Sequence, residues 1–152
     1  MIEMKQINDK VFIDTNILIY AYSLDEKEKR DVVRAIIENS QTNVVISTQV
    51  VNEFINVMRK KMAVSLMDLQ IAVDELSQLG FVSLIDMGTI SQALSISKLF
   101  KYAYFDSLII ASALENSCKI LYSEDMQHGQ VLEKKLTILN PYLSCDPKKP
   151  SC

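Results

Sequence analysis

Along this chain, short continuous apolar runs alternate with longer stretches in which apolar residues recur every three to four positions. The runs at 11–14, 44–46, 81–85, 119–122 and 136–139 are rich in Val, Ile, Phe, Leu and Tyr and predict strands, that at 44–46 a buried one. Between them lie helical patterns. Residues 16–23 form a short helix or turn, and 28–39 carry Val32, Val33, Ile36 and Ile37 at helical spacing. Ser47 or Thr48 provides an N-cap for a helix through about Met62, with Val50, Val51, Phe54, Ile55, Val57 and Met58 as its core-facing stripe. Ser65 opens the next helix, which places Leu66, Leu69, Ile71, Val73, Leu76 and Leu79 at apolar positions, and Gly80 closes it as a residue just past its end. A further helix covers 88–101. The segment following Asp106, from Ser107 to Leu114, is apolar nearly all round, as expected of a helix buried on more than one side.

Strands that alternate with helices imply parallel pairing through right-handed crossovers, in a sheet covered on both faces. The expected architecture is α/β: a three-layer α/β/α domain around a central parallel sheet of about four to five strands. It spans residues 1–142 as one domain, with 143–152 as a polar, disordered tail.

Length and composition agree with this. A chain of 152 residues, 49% hydrophobic and 23% charged, suits one ordinary domain. No apolar run approaches the roughly 18 residues of a membrane span. The N-terminus lacks a basic segment leading into an apolar one, so a cytoplasmic protein without a secretory signal is expected. Cys118, Cys145 and Cys152 show no metal-binding spacing and read as free thiols, one buried and two in the tail. The net charge of −3 argues weakly against a nucleic-acid partner, but a cation held by clustered acids would reverse the local field. The densest basic cluster, Arg59-Lys60-Lys61, either complements the end of its helix or contacts phosphates near a site; the first is the simpler reading.

The candidate chemistry rests on four acids. Asp14 ends the first strand and Asp125 ends the fourth, each at the carboxyl edge where open α/β sheets bind ligands. Glu53 stands one and a half turns into its helix, beside the buried stripe rather than opposite it. Asp106 lies in the first turn of the apolar helix. Each has a structural explanation, surface placement for Glu53 and capping for Asp106. Together they form two strand-end acids and two near helix starts, on one rim of one sheet. Four clustered carboxylates would repel unless some took up protons or bound a cation. An all-oxygen set suits Mg²⁺ or Mn²⁺, and such an ion favours phosphoryl chemistry.

Other chemistries find little support. The lone His128 has no partner for zinc, and no Gly-rich phosphate loop occurs. A serine hydrolase would need a Gly-x-Ser-x-Gly elbow, which is absent. A phosphatase using Asp14 as nucleophile would want an acid at position 16, which is Asn, and a receiver domain would want paired acids and a later Lys.

In sequence, Val-Phe-Ile-Asp14-Thr15-Asn16 resembles the opening motif of PIN-domain proteins. Gln-Val-Val-Asn-Glu53-Phe resembles their second acidic motif, Tyr-Phe-Asp106-Ser-Leu-Ile-Ile-Ala their third, and Leu-Tyr-Ser123-Glu-Asp125-Met their last. Order and spacing match over roughly residues 10–140. The last motif departs from the pattern just after its acid, with Met126-Gln127-His128-Gly129 where a basic or aromatic residue is common, and Glu124 sits beside Asp125. The resemblance implies a PIN fold and Mg²⁺- or Mn²⁺-dependent ribonuclease activity. Asp14, Glu53, Asp106 and Asp125 would then hold metal and position the attacking water, with Thr15, Asn16 and Ser123 as supporting polar residues. It further implies kinship with toxins of the VapC type, and with that an RNA substrate, a cognate antitoxin and a homodimer. The competing reading is a PIN-like module that binds RNA or protein without cutting.

Overall fold

The computed structural model describes residues 9–40 and 43–143. In chain order the elements are β1 (Val11–Ile13), α1 (Thr15–Tyr20), α2 (Lys27–Ser40), β2 (Val44–Ser47), α3 (Thr48–Lys60), α4 (Leu66–Leu79), β3 (Phe81–Ser83), α5 (Met87–Phe100), α6 (Tyr104–Glu115), β4 (Ile120–Tyr122), β5 (Val131–Leu132) and β6 (Leu136–Leu139). The predicted tail beyond Leu143, with Cys145 and Cys152, lies outside the described residues. Cys118 is buried as a free thiol.

Among the described residues, six strands form one sheet in the order β3-β2-β1-β4-β6-β5. Five are mutually parallel, and only β5 runs antiparallel, against β6. β1 is central and its three residues are fully buried, because a parallel strand covered on both faces has no polar side to present. Val11 and Phe12 pair with Val44 and Val45 on one side; Val11, Phe12 and Ile13 pair with Ile120, Leu121 and Tyr122 on the other. Helices α1 to α4 form one layer and α5 with α6 the other, since the chain winds outward from β1 to β3 and then crosses back to β4. The strand order therefore reverses at β1, and the crevice of such a sheet opens there, beyond the carboxyl ends of β1 and β4.

The three-layer expectation holds, and the differences are local. Strand β1 stops one residue early because Asp14 is the N-cap of α1. Strand β5 carries no sequence signal. Its hairpin turns at Glu133 and Lys134, both in the left-handed region (φ 51° and 56°), where Asn-Gly would have announced such a turn. On α4, Leu66 and Ile71 face outward and only Leu69, Ala72 and Leu76 are buried. Gly80 ends α4 in an extended conformation (φ −176°), not the left-handed one. Glycine is required there by proximity: a Cβ would stand 2.0 Å from the carbonyl oxygen of Val44. The predicted caps Ser47 and Ser65 are both present, accepting from the backbone N–H of Val50 and Asp68. Helix α6 is buried continuously from Ser107 to Ala113.

Candidate active site

Asp14 leaves the sheet at its centre and caps α1, its Oδ1 accepting the Thr15 N–H at 2.7 Å. Its Oδ2 accepts the Ser123 hydroxyl at 2.8 Å. Ser123 follows β4 and is fully buried, so the polar residues that end two neighbouring strands are joined beneath the cleft floor. Asp14 is itself only 6% exposed. Burial pushes its carboxyl up to about 6, against the pull of the Ser123 and Thr15 hydrogen bonds, with Glu53 and Asp106 adding to the rise.

Glu53 is not a free surface glutamate. Its Oε2 accepts the Thr15 hydroxyl at 2.6 Å and its Oε1 accepts the side-chain amide of Gln49 at 2.9 Å. Nor is Asp106 a cap. The N-cap of α6 is Ala103, without a side-chain cap bond. Among the described residues Asp106 accepts no side-chain hydrogen bond, and burial followed by the charges of Asp125 and Glu53 raises its pKa. Asp125 is exposed and accepts from the Asn16 amide. Its neighbour Glu124 is bound elsewhere, in an ion pair with Lys29 at 3.0 Å.

One cleft of about 200 Å³ is lined by Asp14, Glu53, Asp106 and Asp125, with Thr15, Asn16 and Gln49 beside them. All four predicted acids thus share one small space, and Glu124 is not among its walls. Among the described residues, no Lys or Arg lines it either. Two carboxyls raised by burial and by neighbouring acids, beside two further acids, make an all-oxygen donor set whose chemistry favours a cation. Among the described residues, no three acidic, His or Cys side chains converge into a ready-made metal shell. The donor set still fits Mg²⁺ or Mn²⁺, which keeps several waters and takes only one or two carboxylates directly. His128, the single histidine, is occupied in a loop, its Nδ1 accepting the Asn140 N–H at 2.9 Å.

Gln49 is the site residue that sequence reasoning missed. One turn before Glu53, it donates to Glu53 and to the Phe105 carbonyl at 3.1 Å, bridging α3 to the first turn of α6 beside Asp106. Its own Oε1 is buried without a partner among the described residues. The available signal was its position four residues before an acid on one helix face.

An open α/β sheet with an acidic cleft at its strand-order reversal defines the class. Within it, the PIN-domain family model matches residues 11–132, and the chain belongs to that family. Among solved structures, the chain is similar to Mycobacterium tuberculosis VapC20, described as a sarcin-ricin loop cleaving toxin (15% identity, TM-score 0.64, covering 76% of this chain and 90% of that one). It is also similar to FitAcB from Neisseria gonorrhoeae (19% identity, TM-score 0.58, covering 88% and 99%). A third is FitAB bound to an IR36 DNA fragment (17% identity, TM-score 0.54, covering 86% and 94%). At these identities the likeness is one of fold. Among curated proteins, none matches by sequence. No helix among the described residues is long and apolar enough to cross a membrane.

Proposed function

We propose that this protein is a Mg²⁺- or Mn²⁺-dependent endoribonuclease that hydrolyses RNA phosphodiester bonds at the acidic cleft. The observation that carries this reading is the convergence of four carboxylates, from four separate parts of the chain, on one cleft with no basic side chain in its walls among the described residues. A binding module has no need of so costly an arrangement. A bound divalent ion would supply an acidified water and charge stabilisation at the phosphate. Asp14, Asp106 and Asp125 would hold it with Glu53. Ser123 and Thr15 fix the Asp14 carboxylate, Thr15 and Gln49 fix Glu53, and Asn16 fixes Asp125. Hydrolysis makes a bond from the water oxygen to phosphorus and breaks the bond to the departing sugar oxygen.

The likeness to a toxin that cleaves the sarcin-ricin loop favours an RNA substrate and a role as the toxin of a type II toxin–antitoxin pair, acting in the cytoplasm. Outward-facing Leu66, Met67 and Ile71 on α4, with Leu94 and Leu99 on α5, offer apolar surface for a homodimer contact and a cognate antitoxin. The second reading, a PIN-like module that binds RNA or protein without cutting, draws on the lack of a preassembled metal shell.

Thermal unfolding with and without millimolar Mn²⁺ separates the two. At about 100 times its Kd, an ion should stabilise wild type by roughly 2.7 kcal/mol and leave Asp14→Asn unshifted. If wild type does not shift, the binding-module reading takes over.

A further inference from the structure

A second and larger cavity, of about 420 Å³, opens beside the acidic cleft and shares Asn16 and Asp125 with it as a common wall. Ile19, Tyr20, Ser23, Val57, Lys61 and Met62 also line it. The volume falls in the range of about 300–1,000 Å³ typical of small-ligand sites, whereas the acidic cleft is below it. The smaller space suits an ion with its waters and a phosphate; the larger has room for a base and sugar.

Its chemistry is also distinct. The cavity mixes apolar and aromatic wall with polar groups, and Tyr20 is held in place by an edge contact with Tyr142 and by Lys29, which lies 4.4 Å from its ring centroid and donates to its hydroxyl. Glu124 also lines the cavity, but its charge is met by Lys29. Lys61 is exposed and makes no ion pair among the described residues. Arg59, by contrast, donates to the Val64 carbonyl just past the helix end. The basic cluster therefore divides: Arg59 serves the chain's own backbone, and Lys61 lines the cavity next to the acids.

We propose that this cavity is a nucleotide subsite, receiving the RNA residue next to the scissile bond, with Lys61 on a flanking phosphate. The inference rests on the ribonuclease reading and adds where the strand lies and which cation meets it. In this protein of net charge −3, a single cation placed one nucleotide from the acidic cleft gives binding that depends on docking a base, not on charge alone.

The test uses methyl-¹³C-methionine protein and a random-sequence RNA decamer, with Ca²⁺ in place of Mn²⁺, and Met62→Leu to identify the Met62 signal. RNA should shift the Met62 methyl. Lys61→Glu should weaken RNA binding about tenfold or more and lower its salt dependence by about one phosphate contact, Lys61→Arg should bind within about twofold of wild type, and Lys98→Glu, a charge reversal on α5, should change little. A stationary Met62 methyl overturns the inference, whether RNA binds elsewhere or not at all, and so does equal weakening by Lys61→Glu and Lys98→Glu. Mn²⁺ titration of the same proteins keeps the two readings apart. If Mn²⁺ binds and Met62 does not respond to RNA, the subsite fails alone; if Met62 responds and Mn²⁺ does not bind, the nuclease reading fails and takes with it the placement beside a scissile bond.

Discussion

The Ser123 hydroxyl donates to Oδ2 of Asp14 across 2.8 Å, so that the residue ending β4 holds the acid ending β1, 109 positions earlier in the chain. This bond favours the ionised carboxylate against the burial that drives it towards the neutral form. Ser123→Ala should therefore raise the Asp14 pKa further above 6. Mn²⁺ affinity, measured by titration against thermal unfolding, is expected to fall more at pH 6 than at pH 8. An equal loss at both would show that Ser123 acts on geometry and not on ionisation.

Asp14 also sets a pH dependence of opposite sign to that of most surface acids. Its folded-state pKa of about 6 lies above its ordinary value of 3.8. Between those values the folded protein keeps a proton that the unfolded chain has released, so stability falls as pH rises through that window. In EDTA, the protein should be more stable near pH 4.5 than near pH 7.5, by up to roughly 2–3 kcal/mol from this group, and Asp106 shifts in the same direction. Mn²⁺ should reverse the trend, since it binds ionised carboxylates. Urea unfolding at the two pH values, with and without the ion, reads both effects.

Gln49 ties Glu53 to the α6 turn that carries Asp106. Gln49→Met keeps the length of the side chain and removes both donated bonds, leaving the Phe105 carbonyl and a Glu53 oxygen short of a donor. Both bonds lie at an open cleft, so the expected cost is about 0.5–1.5 kcal/mol in unfolding free energy. Mn²⁺ affinity should also weaken, because Glu53 loses one of its two anchors. Unchanged affinity with lowered stability would make Gln49 a purely structural bridge.

Gly80 sits where β3 begins, its α-carbon against the backbone of Val44. Gly80→Ala would place a methyl 2.0 Å from that carbonyl oxygen and 2.9 Å from its carbon. Since neither backbone is free to yield, a loss of about 1–3 kcal/mol or more is expected by denaturant titration. The backbone conformation itself would accept alanine, so a neutral result would mean that the β2–β3 contact relaxes.

Much of this protein is determined within a few residues of chain. Buried strands show as apolar runs, Ser47 and Ser65 cap the helices they precede, and an acid after such a run marks the carboxyl edge of the sheet. The four acids were legible for that reason, because each is defined by its own strand or helix. What only the tertiary structure decided depends on which elements meet. Gln49 acquires its role from Phe105, 56 residues away, and Gly80 is needed because Val44 passes beside it. Glu133 and Lys134 turn a hairpin that their residue types disfavour, held by the pairing of β5 with β6. Asp125, rather than Glu124, faces the cleft because Lys29 draws the glutamate aside. Local pattern encodes the elements and their ends. The contacts that join four acids in one cleft, or set a glutamate aside from it, are made between residues that no short window of sequence contains.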